Sequence, residues 1–181
     1  MYILHLSMKV MKKKVVKIIL SEKALYYGNI NMPKHWEIDR NYLSHEIFIA
    51  DLHNDEYKFN TTWDKLNKYV QEFINLKHDL NLVNQKTWGN IYKPSQLTNP
   101  ILNVNLVDLK NSSDFTLLYG VNVSDCHIKI YYDDNRRKGK TWDIQLRNNM
   151  FVMFPSTCSY VISNNQKDSL NFVQTITYVY I

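Results

Sequence analysis

From residue 86 to the C-terminus the chain is a succession of short segments rich in Val, Ile, Tyr, Phe and Thr, parted by clusters of Asn, Asp, Ser and Lys. They are Thr87 to Tyr92, Leu102 to Val107, Phe115 to Val123, His127 to Tyr132, Thr141 to Gln145, Phe151 to Phe154, Ser159 to Ile162 and Phe172 to Tyr180. Strand-forming segments of this kind, recurring at about ten residues, are the pattern of an all-β sandwich or barrel. The polar run Asp133 to Gly139 reads as a hairpin turn, in which Asn135 or Gly139 takes positive φ.

Upstream the period changes. Trp63, Leu66, Tyr69, Val70, Phe73 and Ile74 recur at helical spacing, which predicts one main helix over about residues 63–76 with Thr61 or Thr62 as its cap. Ile47 to Asp51 is short and apolar and reads as a strand. Lys14 to Leu20 alternates basic and β-branched residues, an edge-strand pattern, with a flexible arm before it. The expected organisation is a basic N-terminal arm or edge strand over residues 1–23 and a single β-rich domain over 24–181. No internal repeat is visible.

The formal charge of +5 is confined to the arm. Before Ala24 there are six Lys against the single acid Glu22, and from Ala24 onward 16 bases balance 16 acids. Lys12, Lys13, Lys14 and Lys17 are therefore the candidate partner-binding residues. Such a cluster can neutralise phosphates, dock on an acidic protein or guard a strand edge against unwanted pairing. The body carries no matching basic excess and the arm lacks the aromatic interleaving that stacks single-stranded bases. A protein partner is thus expected ahead of nucleic acid.

Two cysteines, Cys126 and Cys158, cannot form a disulfide framework or a cysteine-rich zinc site. No apolar run reaches the roughly 18 residues of a membrane span, and the Lys-interrupted N-terminus does not read as a secretory signal. There is no glycine-rich phosphate loop and no nucleophile elbow. The bias toward Asn, Lys and Tyr, with 13 Tyr, is what an AT-rich genome produces.

The segments Trp88-Gly89-Asn90-Ile91-Tyr92, Asp114 to Val121, Ile130 to Asp134, Met153-Phe154-Pro155-Ser156 and Gln174 to Tyr178 stand in an order that resembles small phage and marine-bacterial proteins of the 2-oxoglutarate and iron(II)-dependent oxygenase superfamily. The resemblance covers roughly residues 86–180 and implies a double-stranded β-helix, the jelly-roll or cupin-like fold. It also implies positions for two imidazoles and a carboxylate on one face of iron(II), and for an Arg that holds the co-substrate. A gapless alignment puts the first ligand pair on Asp108 and Lys110, the distal His on Tyr160, and the Arg near Val173, in a stretch without any base. All of these positions look degenerate. An alternative constellation is His53 and Asp55 with His127, and Arg136 or Arg137 for the co-substrate.

The expectation that follows is a non-enzymatic jelly-roll protein without cofactors, part of a phage virion or its assembly, held in an oligomer by protein contacts in the virion or host cytoplasm. One alternative is an iron(II)- and 2-oxoglutarate-dependent hydroxylase with an atypical site. The other is a cupin-like module that binds a small ligand or glycan in the barrel mouth.

Overall fold

The computed structural model describes residues 23–30, 38–53, 61–132 and 139–181. The basic arm up to residue 22, Asp55 and the turn holding Arg136 and Arg137 lie outside these residues.

Eight strands and two helices follow one another along the described residues: β1 (Tyr26–Asn29), α1 (Arg40–His53), α2 (Thr61–His78), β2 (Leu82–Tyr92), β3 (Phe115–Asn122), β4 (Cys126–Tyr132), β5 (Lys140–Leu146), β6 (Met150–Pro155), β7 (Ser159–Asn164) and β8 (Asn171–Tyr180). They build an antiparallel five-stranded sheet, β1-β6-β3-β8-β2, and an antiparallel three-stranded sheet, β5-β4-β7. This is the mainly β, double-stranded β-helix architecture expected from the sequence, with the two sheets face to face and the helices on the outside of the larger one.

The five-stranded sheet is covered on both faces, and its central strand shows it. All residues from Phe115 to Val121 are buried, Thr116 included, so β3 shows no alternation of buried and exposed positions. Leu117, Tyr119, Ile176 and Tyr178 face the helices and pack with Leu43, Ile47, Leu66, Val70 and Ile74. Leu118, Val152, Phe154 and Val173 point the other way and meet Cys126, Ile128, Ile130, Tyr160 and Ile162 between the sheets. Each fully buried Leu or Ile contributes about 1.5–3 kcal/mol.

Helix α2 forms where the spacing predicts it, with Leu66, Val70 and Ile74 on its buried stripe. Asp64 lies in its first turn, where a carboxylate favours the helix dipole. The helix leads tightly into β2: Gln71 Nε2 donates to the Leu82 carbonyl at 2.7 Å and Leu82 N–H to Asn75 Oδ1 at 3.2 Å.

Helix α1 corrects the expectation of a strand at Ile47 to Asp51 and of a single main helix. Asp39 caps it, accepting the Tyr42 N–H at 3.0 Å, and Leu43 and Ile47 are wholly buried one turn apart. Its seat on the sheet is Gly89 of β2. A Cβ there would lie 2.9 Å from Ile47 Cγ2 and nearer still to Cγ1, so the glycine is what admits the helix. The segment Leu102 to Val107 is likewise not a strand. It follows two isolated antiparallel bridges, Leu97 with Ser163 and Ile101 with Tyr160, and then leaves the small sheet.

Candidate functional site at the barrel mouth

The chain enters the mouth between the sheets at Ile101, whose N–H and C=O pair with Tyr160 C=O and N–H at 2.8 and 3.0 Å. Ile101 packs on the inner core, and side chains two residues apart in an extended segment share a face, so Asn103 also turns inward. Asn103 Nδ2 donates to Tyr160 Oη and to Thr116 Oγ1, each at 3.2 Å. Thr116 Oγ1 is 2.9 Å from Ser156 Oγ, and Ser113 Oγ donates to the Asn103 carbonyl at 2.6 Å. The Tyr160 ring stands edge-on to Phe154, with centroids 5.2 Å apart.

Behind this cluster the inner face of the large sheet continues polar. Thr116 is opposite Thr177 in the β3–β8 register, and Asn90 Nδ2 donates to Thr175 Oγ1 at 2.8 Å. The Thr177 hydroxyl is buried without a partner among the described residues. Burial pushes the Tyr160 phenol up to about 12, with the Asn103 hydrogen bond opposing. The hydroxyl stays protonated at neutral pH, and because it accepts from Asn103 its own proton is left to donate.

The sequence-derived candidates are dispersed. Tyr160 is in the mouth. Asp108 is not beside it: its carboxylate accepts Asn111 N–H at 3.3 Å and Asn111 Nδ2 at 2.8 Å, in an exposed turn. Lys110 belongs to the same turn, a 3-10 helix over Leu109–Asn111. The turn is knotted further by Ser112 Oγ, which accepts Asn105 N–H at 2.8 Å and donates to carbonyls of Asn105 and Asp108. Asn105 Oδ1 in turn accepts from Val107 N–H at 3.0 Å.

His53 ends α1, on the helix side of the large sheet, whereas His127 is on the outer face of the small one, since its neighbours Cys126 and Ile128 point inward. Both sheets separate them. His127 instead pairs with Asp143 at 2.8 Å and Asp125 at 3.4 Å. Val173, near which an Arg was expected, is wholly buried in the inner core. Cys126 and Cys158 are buried free thiols, and burial raises both, Cys126 to about 12.

Iron(II) held on one face wants two imidazoles and a carboxylate. The mouth offers instead an amide, a phenol and hydroxyls, and among the described residues no group of three His, Cys, Asp or Glu is placed to hold a metal. The donors present do not fit that centre. Asn103, Thr116 and Ser156 were not singled out in the sequence. Thr116 and Ser156 are small polar residues inside or beside apolar strands, whereas Asn103 falls in a segment that reads as a strand and is not one.

No family model matches the sequence, and no curated protein does. Solved structures do. A prolyl-4-hydroxylase of Pseudomonas putida is 12% identical over 88% of this chain and 89% of its own, with a TM-score of 0.64. The viral collagen prolyl hydroxylase of Paramecium bursaria Chlorella virus-1, in complex with 2-oxoglutarate, is 12% identical over 87% and 96%, with a TM-score of 0.61. The α-ketoglutarate-dependent epimerase SnoN of nogalamycin biosynthesis is 9% identical over 87% and 78%, with a TM-score of 0.63. At such identity the likeness establishes the oxygenase-type double-stranded β-helix.

These comparisons also correct two expectations. The proteins that share the fold are enzymes, which overturns the non-enzymatic virion component as the preferred reading. SnoN is also known in complex with Fe3+ and α-ketoglutarate, which does the same for the absence of cofactors. No helix among the described residues is long and apolar enough to cross a membrane.

Proposed function

We propose that this chain is an enzyme of atypical oxygenase type whose working site is the barrel mouth around Asn103, Thr116 and Tyr160. The observation that carries the reading is a coincidence of place. The fold aligns over nearly nine-tenths of the chain with two prolyl hydroxylases, one of them in complex with 2-oxoglutarate, and with an α-ketoglutarate-dependent epimerase, and its buried polar cluster joins both sheets at one end of the barrel.

Because the donor set differs from an iron triad, the roles are assigned to the chain's own groups. Tyr160 presents a protonated hydroxyl to a carbonyl or hydroxyl oxygen of the substrate, and a fixed donor in a water-poor cleft is worth more than the same donor in water. Asn103 holds that phenol in place, and Thr116 with Ser156 fixes Asn103. Phe154 keeps one side of the mouth apolar.

The test is calorimetric titration of the metal-free chain with 2-oxoglutarate. Saturable binding that weakens about tenfold in Tyr160→Phe, the loss of one hydrogen bond to the ligand, is the expected result. No binding, or binding unchanged in Tyr160→Phe, would sink this reading.

A further inference from the structure

Beside the Phe154–Tyr160 pair the barrel opens into a cavity of about 80 Å³ that no β8 residue lines. Its walls include Leu25, Ile130, Tyr132, Trp142, Phe154 and Cys158, and Lys23 stands at its rim. The rings of Tyr132 and Trp142 are 6.0 Å apart and tilted by 53°. Lys23 Nζ lies 5.3 Å from the Tyr132 ring centroid, and no carboxylate among the described residues pairs with it.

The lining decides what can enter. A buried water needs two to four polar partners, and these walls offer a thiol and little else. The space suits only a short apolar group of a few carbon atoms. An ammonium at the rim, already above an aromatic face, draws an anion to the mouth while the cavity takes its apolar end.

We propose that this cavity binds a small monocarboxylate with a short branched apolar tail, the tail between Trp142, Tyr132 and Phe154 and the carboxylate at Lys23. The assignment deepens the proposed function by naming a substrate class, and it rests on that reading for its catalytic meaning. Occupancy itself is independent of turnover. Phe154 lines this cavity and its ring packs edge-on to that of Tyr160, with centroids 5.2 Å apart, so a carboxylate of this size would lie next to the polar cluster.

The probe is isovalerate, titrated into the full chain without metal and followed by amide chemical shifts. A seven-atom ligand of this kind should bind with Kd of about 1 mM. Lys23→Gln should weaken isovalerate about threefold, as befits an exposed pair, and leave the neutral isoamyl alcohol unchanged. Cys158→Leu, which fills the cavity, should abolish binding of both, and Leu25→Trp should do the same if Cys158→Leu fails to fold.

Absence of saturation by 10 mM (about ten times the expected Kd) overturns the proposal, as does unchanged binding in both cavity-filling variants or in Lys23→Gln. The two readings fail separately. Isovalerate binding without 2-oxoglutarate binding removes the oxygenase-type site and keeps the cavity, whereas 2-oxoglutarate binding without isovalerate binding does the reverse.

Discussion

Asn103 donates from Nδ2 to the hydroxyl of Tyr160 at 3.2 Å, and this one bond joins the segment after Ile101 to the small sheet. The same amide reaches Thr116 on the large sheet, so Asn103 is the residue through which both sheets are tied at the mouth.

Asn103→Leu should therefore cost about 1–3 kcal/mol, because it leaves the inner hydroxyls without their donor. Tyr160→Phe should cost about 1 kcal/mol, and the double variant should cost less than the two together, with a coupling of about 0.5–1 kcal/mol. Urea unfolding at constant slope measures all three. Strict additivity would mean that the bond carries no energy.

Gly89 and Ile47 supply a second pair, of steric kind. Gly89→Ala should destabilise by about 1–3 kcal/mol, since Ile47 already fills the space that a methyl needs. Ile47→Ala alone should cost about 2–5 kcal/mol through the cavity it leaves. In the double variant the new methyl enters that cavity, so the combined loss should fall below the sum. Thermal melts of the four proteins test this, and an additive cycle would contradict the contact.

Alkaline lability follows from three buried acids. Burial raises Cys126 from an ordinary 9.0 to about 12 and Tyr160 from 10.0 to about 12, and raises Tyr92 well above 10.0. Each group is protonated when folded and ionises more easily when unfolded. The unfolded chain thus binds fewer protons above pH 9, and stability falls as pH rises. The stabilisation is complete below about pH 9 and should be lost progressively toward pH 12. Urea midpoints at pH 7, 9 and 10.5 should decline, and Cys126→Ala should flatten the decline. A midpoint independent of pH over that range would refute the account.

Gln174 predicts a change of the opposite sign. It is wholly buried on the helix side of β8, and neither Oε1 nor Nε2 has a partner among the described residues. An unpaired buried amide costs free energy that an apolar side chain of similar shape does not. Gln174→Met should raise stability by about 1–2 kcal/mol in the same urea assay. A loss of that size would show that the amide is satisfied in solution.

A β sandwich or barrel was legible in the strand spacing, which is a local property, and the oxygenase-type double-stranded β-helix only through the resemblance carried by the order of the motifs. Helix α1 was not legible, since Ile47, Phe48 and Ile49 are strand formers by local preference. What makes that run helical is a glycine some forty residues away that opens a seat for it. At the mouth, counting along the chain leads to Asp108, whereas the fold sets Asn103 beside Tyr160. The two bridges at Leu97 and Ile101 are too short to imprint a period, so the length of the connection after them could not be read.

By itself, then, the sequence determined a mainly β fold, the main helix and the neutrality of everything beyond the first 23 residues. Only the tertiary structure decided which side chains share the mouth. A pattern of period two fixes the face of a sheet on which a residue lies, but the partner it meets across the barrel depends on register between strands tens of residues apart.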